Sequence, residues 1–271
     1  HLLRGSNSVT AVSQLTGMTS LVPTKMTMDM HMFGVMYAIS KKWTLVGMLN
    51  HLESEMDMIM PMNMNMNMES SGIGDLKVVG LYDLAQWDNG RRMHLNLGLS
   101  VPTGSIDEKH TNGNTLGYGM QLGSGTYDFH PAVTYLAQNQ HYSYGVQLGG
   151  SLRIGENDRE YTLGDRFEVI LWGGLKITES LSASVKSDYS SHNEVDGEDS
   201  RMMKVMSPSL SPSSQGRDIT TIGFGLNYYF QDGGLSGHRL AAEWEAPVDQ
   251  KVKGVQLEIE SNWTLGWQYA W

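Results

Sequence analysis

Methionine recurs at every second residue in two stretches of this sequence, and this spacing restricts the fold more than any other feature. Thirteen of the nineteen methionines lie between positions 26 and 68, all at even positions. Side chains two residues apart share one face of a strand, whereas on a helix they point apart. The stretch is therefore predicted to be β structure with its thioethers on one surface. The methionines are Met26, Met28, Met30, Met32, Met36, Met48, Met56, Met58, Met60, Met62, Met64, Met66 and Met68.

The hydropathy of the whole chain fits a barrel that crosses a membrane with strands. The mean hydropathy of −0.31 is that of many soluble proteins, and no stretch approaches the roughly 20 apolar residues of a membrane helix. A transmembrane barrel hides its lipid-facing side in a period of two, which average hydropathy misses. Segments with this period recur from end to end, as where Met93, Leu95 and Leu97 alternate with His94 and Asn96.

The connections between these segments alternate between short turns and long loops. Outer-membrane barrels have short periplasmic turns, long extracellular loops and an even number of strands. Several aromatic residues, Trp43 and Tyr269 among them, fall near the turns, as an interfacial girdle requires. We therefore predict an all-β fold: a transmembrane, antiparallel, up-and-down β-barrel of about 12 strands. It forms a single domain over residues 1–271 in a Gram-negative outer membrane, with a methionine-rich extracellular loop at residues 60–72.

The net charge and the absence of cysteine limit the kinds of molecule that the protein is expected to bind. The net charge of −10 argues against nucleic acid, which needs a basic surface, and the chain has no cysteine to form a disulfide or a thiolate metal site. The expected partners are outer-membrane lipid and lipopolysaccharide, around a monomeric barrel. The acidic run at residues 194–199 has two interpretations, a divalent-cation site at the lipopolysaccharide surface or simply a solvated loop.

Four segments of the sequence resemble a known family. They are MTMDMHMFGVMYAISKKWTLVGML (residues 26–49), SSGIGDLKVVGLYDL (70–84), LGLSVPTGSID (97–107) and GSGTYDFHPAVTYL (123–136). Together they cover about half of the chain, and they resemble the outer-membrane transporters associated with the meta-cleavage pathway of phenol degradation. The resemblance implies a small transport barrel without catalytic residues, and a first strand that is incomplete at its N-terminal end.

The face that the methionines occupy follows from their neighbours. If even positions of the second strand faced lipid, then Phe33, Val35, Tyr37 and Ile39 would be left in the lumen. The opposite arrangement sends these residues to lipid and the methionines to the lumen. It also leaves Asp29 and other charged residues above the membrane. The sequence thus predicts a hairpin whose methionines line the lumen and meet across the two strands.

Three functions for this methionine lining remain open. Methionine is a pliable apolar filler in irregular cores. It is also a soft ligand that selects Cu(I), and by the same argument Ag(I), over Zn(II) or Mg(II), so the barrel could bind or take up copper. A flexible, polarisable lining would equally suit a path for small hydrophobic or aromatic solutes. Of these functions we predict binding or uptake of a soft metal ion, copper first, with the thirteen methionines as its ligands and the solute path as the alternative. The sequence establishes no cofactor; the candidates are Cu(I) and Ag(I).

Other polar residues give weaker signals. Inward His94 and His130 either join a copper site or are simply hydrogen-bonded, and His31 and His51 lie near the methionines. The mixed inward charges form a salt-bridged lumen or a selectivity ring. No catalytic constellation is found: Ser190, Ser191 and His192 are adjacent in sequence, but neighbouring residues of a strand point to opposite faces. The lumen residues that we predict are His94, His130, Arg153, Arg166, Glu168, Glu243 and Glu245.

Overall fold

The computed structural model shows a closed antiparallel barrel. It describes residues 2–6, 21–60, 64–205 and 207–270, with the backbone alone for residues 2–6 and for Met60. Within these ranges, no helix has the length and apolar character needed to cross a membrane. The strands are β1 (Leu2–Ser6), β2 (Val22–Ala38), β3 (Trp43–Met60), β4 (Met64–Ile73), β5 (Leu76–Trp87), β6 (Arg91–Val101), β7 (Tyr127–Gln138), β8 (Tyr142–Ile154), β9 (Tyr161–Thr162), β10 (Arg166–Lys176), β11 (Leu181–His192), β12 (Asp196–Gly197), β13 (Arg217–Tyr229), β14 (His238–Val252) and β15 (Ile259–Tyr269).

In the described part of the chain, twelve of these strands form the closed barrel. The sheet runs β2-β1-β15-β14-β13-β11-β10-β8-β7-β6-β5-β3, and β2 pairs with β3 to close it. Strand β4 is a thirteenth member, paired with the outer half of β3, while β5 pairs with its inner half. The small β9–β12 pair forms a separate sheet. The predicted antiparallel barrel is confirmed, with its short turns at one end and its long loops at the other.

One predicted loop has a different structure. Residues 64–72 of the loop expected at residues 60–72 lie in strand β4, which continues the hairpin from β3. The every-second-residue spacing of its methionines predicts β structure, and that prediction is confirmed here, whereas the prediction of a loop is wrong for these residues. Pairing with β3 satisfies the backbone amides and carbonyls along one edge of this segment. The methionine-rich element at the outer mouth is therefore a β ribbon in its described part.

The β2–β3–β4 region extends beyond the membrane. Strands β2 and β3 have 17 and 18 residues, whereas a tilted strand needs only about 9–11 residues to cross a bilayer. Strands such as β6 and β10, with 11 residues each, just match that length. Because the short turn at residues 39–42 fixes the periplasmic end, the surplus of β2 and β3 lies on the outer side.

The outer surface of the barrel is apolar and bordered by aromatic rings. Phe33 is 72% exposed and Leu265 is 81% exposed, which suits contact with lipid rather than water. Near the short turns the ring centroids of Trp43 and Tyr82 lie 4.9 Å apart, and those of His238 and Tyr269 lie 4.5 Å apart. An apolar band with such an aromatic girdle is typical of outer-membrane barrels. The protein is an outer-membrane β-barrel of a Gram-negative bacterium.

Candidate functional site

Methionines from three neighbouring strands stand side by side at the outer end of the barrel. Met56 of β3 is paired with Met26 of β2 on one side and with Met68 of β4 on the other. Met58 is paired with Met66 in the next row. Directly opposed residues on antiparallel strands have Cβ atoms about 4.5–5.5 Å apart. These two rows therefore bring five thioethers into one compact cluster.

The methionines of this hairpin face the lumen. On β3 the even-numbered Leu52, Ser54 and Met58 are buried, whereas Glu53 and Glu55 on the odd period are exposed. The pairing of Met48 with inward Lys77 of β5 extends the same face around the barrel. We call this surface the methionine face; its members with described side chains are Met26, Met28, Met30, Met32, Met36, Met48, Met56, Met58, Met64, Met66 and Met68.

The methionine face has a sheltered outer section and an open inner section. Met58 in the outer section is only 3% exposed. Met32 and Met36, which lie farther along β2 towards the periplasmic turn, are 56% and 52% exposed. Because their positions face the lumen, this exposure is to the interior of the barrel. A solute inside the barrel would thus meet methionine along much of the wall.

A long loop is fastened against the methionine face by one aspartate. Asp75, between β4 and β5, accepts hydrogen bonds from the backbone N–H of Gly104 at 2.9 Å and of Ser124 at 2.9 Å. The hydroxyl of Ser124 donates a third bond at 3.1 Å. Gly123 is required at this point, because a Cβ there would lie 2.6 Å from the Asp75 carboxylate. Asp75 thereby holds the two ends of the β6–β7 loop (residues 102–126) together.

From this anchor the β6–β7 loop reaches the lumen side of the hairpin. A Cβ on inward-facing Gly72 of β4 would lie 2.6 Å from a methyl carbon of Leu122. His110 contacts the carbonyl oxygen of Asn67 on the same strand through Nε2 at 3.2 Å. The loop therefore covers the outer section of the methionine face from within.

Three long loops share a small hydrophobic core at the outer mouth. Tyr118, Tyr161, Val195 and Met202 are buried together, with the two tyrosine rings 4.9 Å apart. Burial raises the pKa of Tyr161 to about 12, so its hydroxyl stays neutral. We call residues 102–126, 155–165, 193–205 and 207–216 the loop cap. Burial of about four large side chains makes this cap an ordered structure rather than a set of independent loops.

An ionic network joins the same three loops. Arg159 donates two hydrogen bonds to Asp107, both at 2.8 Å, and Arg201 bridges Asp107 to Asp199. The hydrogen bonds from Arg159 and then from Arg201 lower the pKa of Asp107 to about 2. Burial acts to raise the pKa of Asp199, but the hydrogen bonds from Arg201 outweigh it and hold that pKa below its ordinary value. Both carboxylates therefore stabilise the loop cap in their ionised form.

Acidification below pH 4 is expected to loosen the loop cap. A carboxyl group whose pKa is lower in the folded state contributes stability above its ordinary pKa and loses it as the pH falls through the folded value. For Asp107 that window runs from 3.8 down to about 2. Single-channel conductance in planar bilayers should therefore rise as the pH falls from 4 towards 2. The rise should be modest, because Asp107 is about half exposed and solvent screens its ion pairs.

In an Asp107→Asn barrel the conductance should already be raised at pH 7. An unchanged acid-dependent rise in that variant would contradict the assignment of the effect to Asp107.

The wall opposite the methionine face is polar and charged. Lys186 pairs with Glu243 and, at 2.6 Å, with Glu245. Arg153 pairs with Asp128, and Arg166 pairs with Glu168. All seven predicted lumen residues lie on the inward period of their strands, and each of these charged groups has an ion-pair partner there. This arrangement favours the salt-bridged interpretation over a ring of a single charge sign.

The structure separates the four predicted histidines from the methionine face. His130 contacts the hydroxyls of Ser100 and Ser151, each at 2.7 Å, so both its ring nitrogens are engaged. His94 lies opposite Asp83 and Thr134 on the polar wall. His31 and His51 face each other on the outward side of the hairpin. The hydrogen-bonded interpretation of His130 therefore fits its surroundings.

The structure describes Ser190 and His192 on the same inner face of β11, so the prediction that these residues point to opposite faces is wrong for this pair. Among the described residues, no group of three His, Asp or Glu side chains is arranged to hold a metal ion. His1, Met62 and Trp271 lie outside the described part of the chain, and Met60 is described by its backbone alone.

The barrel is similar to solved outer-membrane proteins. A channel from Pseudomonas putida F1 aligns with a TM-score of 0.65 and 12% sequence identity, over 98% of this chain and 91% of that chain. The NanC porin aligns with a TM-score of 0.52 and 11% identity, over 100% of both chains. No family model matches the sequence, and the curated proteins contain no match to it. At these identities the likeness shows the fold, and the predicted link to phenol degradation remains a prediction.

Proposed function

We propose that this barrel is an outer-membrane channel that binds and takes up a soft monovalent metal ion, with Cu(I) the first candidate and Ag(I) its chemical analogue. The observation that carries the proposal is the row formed by Met26, Met56 and Met68 on three adjacent strands. Three thioethers held side by side can converge on one ion, because methionine has three rotatable side-chain bonds. Thioether sulfur selects Cu(I) over the harder divalent ions.

The rest of the methionine face supports passage of the metal ion through the barrel as well as its capture at the outer mouth. A conducting path needs sites that bind well enough to admit an ion and weakly enough to release it. Met32, Met36 and Met48 continue the sulfur lining from the sheltered outer section into the open lumen. An ion captured at the outer mouth would therefore find further ligands of the same kind towards the periplasm.

A second candidate is a small hydrophobic or aromatic solute. It is favoured by the aliphatic neighbours of the inner methionines, since Val46 and Val79 are paired on inward positions and Leu81 follows next to them. Together with Met32 and Met36 they form an apolar strip on one side of the lumen. Sulfur-aromatic contacts would add to the affinity of such a solute.

Reconstitution into vesicles tests the two candidates. Barrels in vesicles that contain a fluorescent thiol indicator should admit Ag(I) faster than empty vesicles do, and Zn(II) and Mg(II) should not gain a comparable advantage. Entry of Ag(I) at the rate of empty vesicles, together with accelerated entry of benzene-sized apolar solutes, would overturn the metal function in favour of the solute path. Equal acceleration of all cations would show an unselective pore.

A further inference from the structure

A cavity lies at the opposite end of the barrel from the loop cap. It has a volume of about 740 Å³ and opens between strands β8, β10, β11, β13 and β14 near the periplasmic turns. Much of its wall is formed by small residues, which widen the lumen at this level: Gly174, Ser182, Ser184, Gly225, Ala241 and Gly266. Two large aromatic side chains on the inward period line this cavity, Tyr229 beside the periplasmic turns and Trp172 farther from them.

The indole of Trp172 lies flat against the wall of the barrel. A Cβ built on its cross-strand neighbour Gly145 would lie 2.2 Å from Cζ2, 2.6 Å from Cη2 and 2.7 Å from Cε2 of the ring. Three ring atoms at nearly equal distance mean that one face of the indole covers Gly145. The ring also lines the cavity, so its other face is available to a solute.

This tryptophan differs from the others in its surroundings. Trp87, Trp263 and Trp267 are exposed on the outward period, where lipid covers them. Trp43 and Trp244 contact outward-facing rings. Within the described ranges Trp172 is thus the tryptophan that faces the water-filled lumen, where its apolar ring gains nothing from lipid. A free indole face in such a site is suited to stacking on another ring.

The charges around Trp172 balance one another. Its neighbour Lys186 is engaged by both Glu243 and Glu245, which together leave one negative charge. Arg239 donates hydrogen bonds to the neutral amide oxygen of Asn227 at 3.1 Å and 2.7 Å, so its positive charge offsets that negative charge. The cavity therefore offers hydroxyl and amide groups for hydrogen bonding without an excess of either charge.

From these observations we infer that Trp172 is the stacking platform of a binding site for a neutral solute with a single planar ring and a hydrogen-bonding substituent. The ring of the solute covers the free indole face, and its substituent reaches the polar wall near Ser184 and Asn227. The small residues leave room for it, since a Cβ on Gly225 would lie 2.5 Å from the Ser184 hydroxyl. The inference rests on the channel role proposed above, but not on the metal specificity of the methionine face.

Fluorine NMR on barrels labelled with fluorotryptophan tests this site, with benzamide as the probe. The Trp172 resonance, assigned by its loss in a Trp172→Phe barrel, should shift saturably on titration while the lipid-facing resonances stay in place. Gly145→Ala, which displaces the ring from the wall, should weaken the shift several-fold, and Trp244→Phe should not change it.

Three results would overturn the assignment. They are no shift of the Trp172 resonance, equal shifts of all tryptophan resonances through partition of benzamide into detergent, or tighter binding of benzoate than of benzamide. Titration with Ag(I) separates this proposal from the metal function. If Ag(I) does not bind but benzamide shifts the Trp172 resonance, the ring-binding site is supported and the metal function is not. If Ag(I) binds but benzamide does not shift the Trp172 resonance, only the ring-binding site is refuted.

Discussion

Conversion of Met26, Met56 and Met68 together to leucine is expected to lower the affinity of the purified barrel for Ag(I) by at least about a hundredfold, because even the loss of an outer-shell partner costs about 10–100-fold. The change removes the three sulfur atoms of one row and leaves side chains of similar volume. Leucine for methionine costs less than about 1.5 kcal/mol even in a core, so the barrel should stay folded. Calorimetric titration with Ag(I) measures the effect.

A matched triple variant controls for methionine content. Met120 and Met202 are buried in the loop cap, and Met93 is on the outward period of β6. Changing these three to leucine removes as many sulfur atoms but leaves the methionine face intact, so the affinity for Ag(I) should be unchanged. Equal losses in both variants, or unchanged affinity in the first, would refute a site on the methionine face.

Replacing Asp75 by alanine is expected to release the loop cap and increase the conductance of the channel. The variant loses three hydrogen bonds to one carboxylate, and hydrogen bonds to charged groups contribute about 1.5–3 kcal/mol each. A net loss of even 3 kcal/mol would raise the fraction of open barrels about a hundredfold, since each 1.4 kcal/mol changes an equilibrium tenfold. Planar-bilayer recordings at pH 7 measure the open fraction directly.

A second aspartate distinguishes this effect from a general loss of charge. Asp88 lies in the short turn between β5 and β6, at the opposite end of the barrel from the loop cap. Asp88→Ala should leave the conductance at the wild-type value. An Asp75→Ala barrel that conducts like the wild type would show that the β6–β7 loop is held by its hydrophobic contacts instead of by Asp75.

The barrel and the orientation of the methionines could be predicted because both depend on a local period. Once Phe33, Val35 and Tyr37 are assigned to lipid, every even position of β2 from Met26 onwards must face the lumen. The same reasoning extends along β3, where the exposed Glu53 and Glu55 alternate with buried Ser54 and Leu52. These assignments need no knowledge of how the strands pair.

The row of Met26, Met56 and Met68 could not be predicted, because it depends on register. The turn at residues 39–42 sets the pairing: the Ser40 hydroxyl accepts hydrogen bonds from the N–H groups of Lys42 and Trp43 at 3.2 and 3.0 Å. A shift of two residues would keep every methionine in the lumen but would pair Met26 with Ser54 in one direction and with Met58 in the other. The sequence pattern is the same in each register, so only the turn geometry decides which sulfur atoms stand side by side.

The loop cap and the tryptophan site depend on contacts between residues far apart in sequence. Asp75 follows a glycine and has the sequence context of an ordinary turn residue, yet it holds residues 104 and 124 together. Asp107 and Arg201 are 94 residues apart. Trp172 lies in a strand with the same alternation of apolar and polar residues as many others. Only the pairing with Gly145 shows that its ring lies flat against the wall of the lumen.

X-ray absorption at the silver edge of the Ag(I)-loaded barrel tests the central claim most directly, because it identifies the atoms bound to the ion. If the methionine face holds the metal, the first coordination shell should consist of sulfur, and it should disappear in the Met26, Met56 and Met68 triple leucine variant. A first shell of nitrogen and oxygen in the wild-type barrel would contradict the claim and assign the ion to histidine or carboxylate side chains elsewhere.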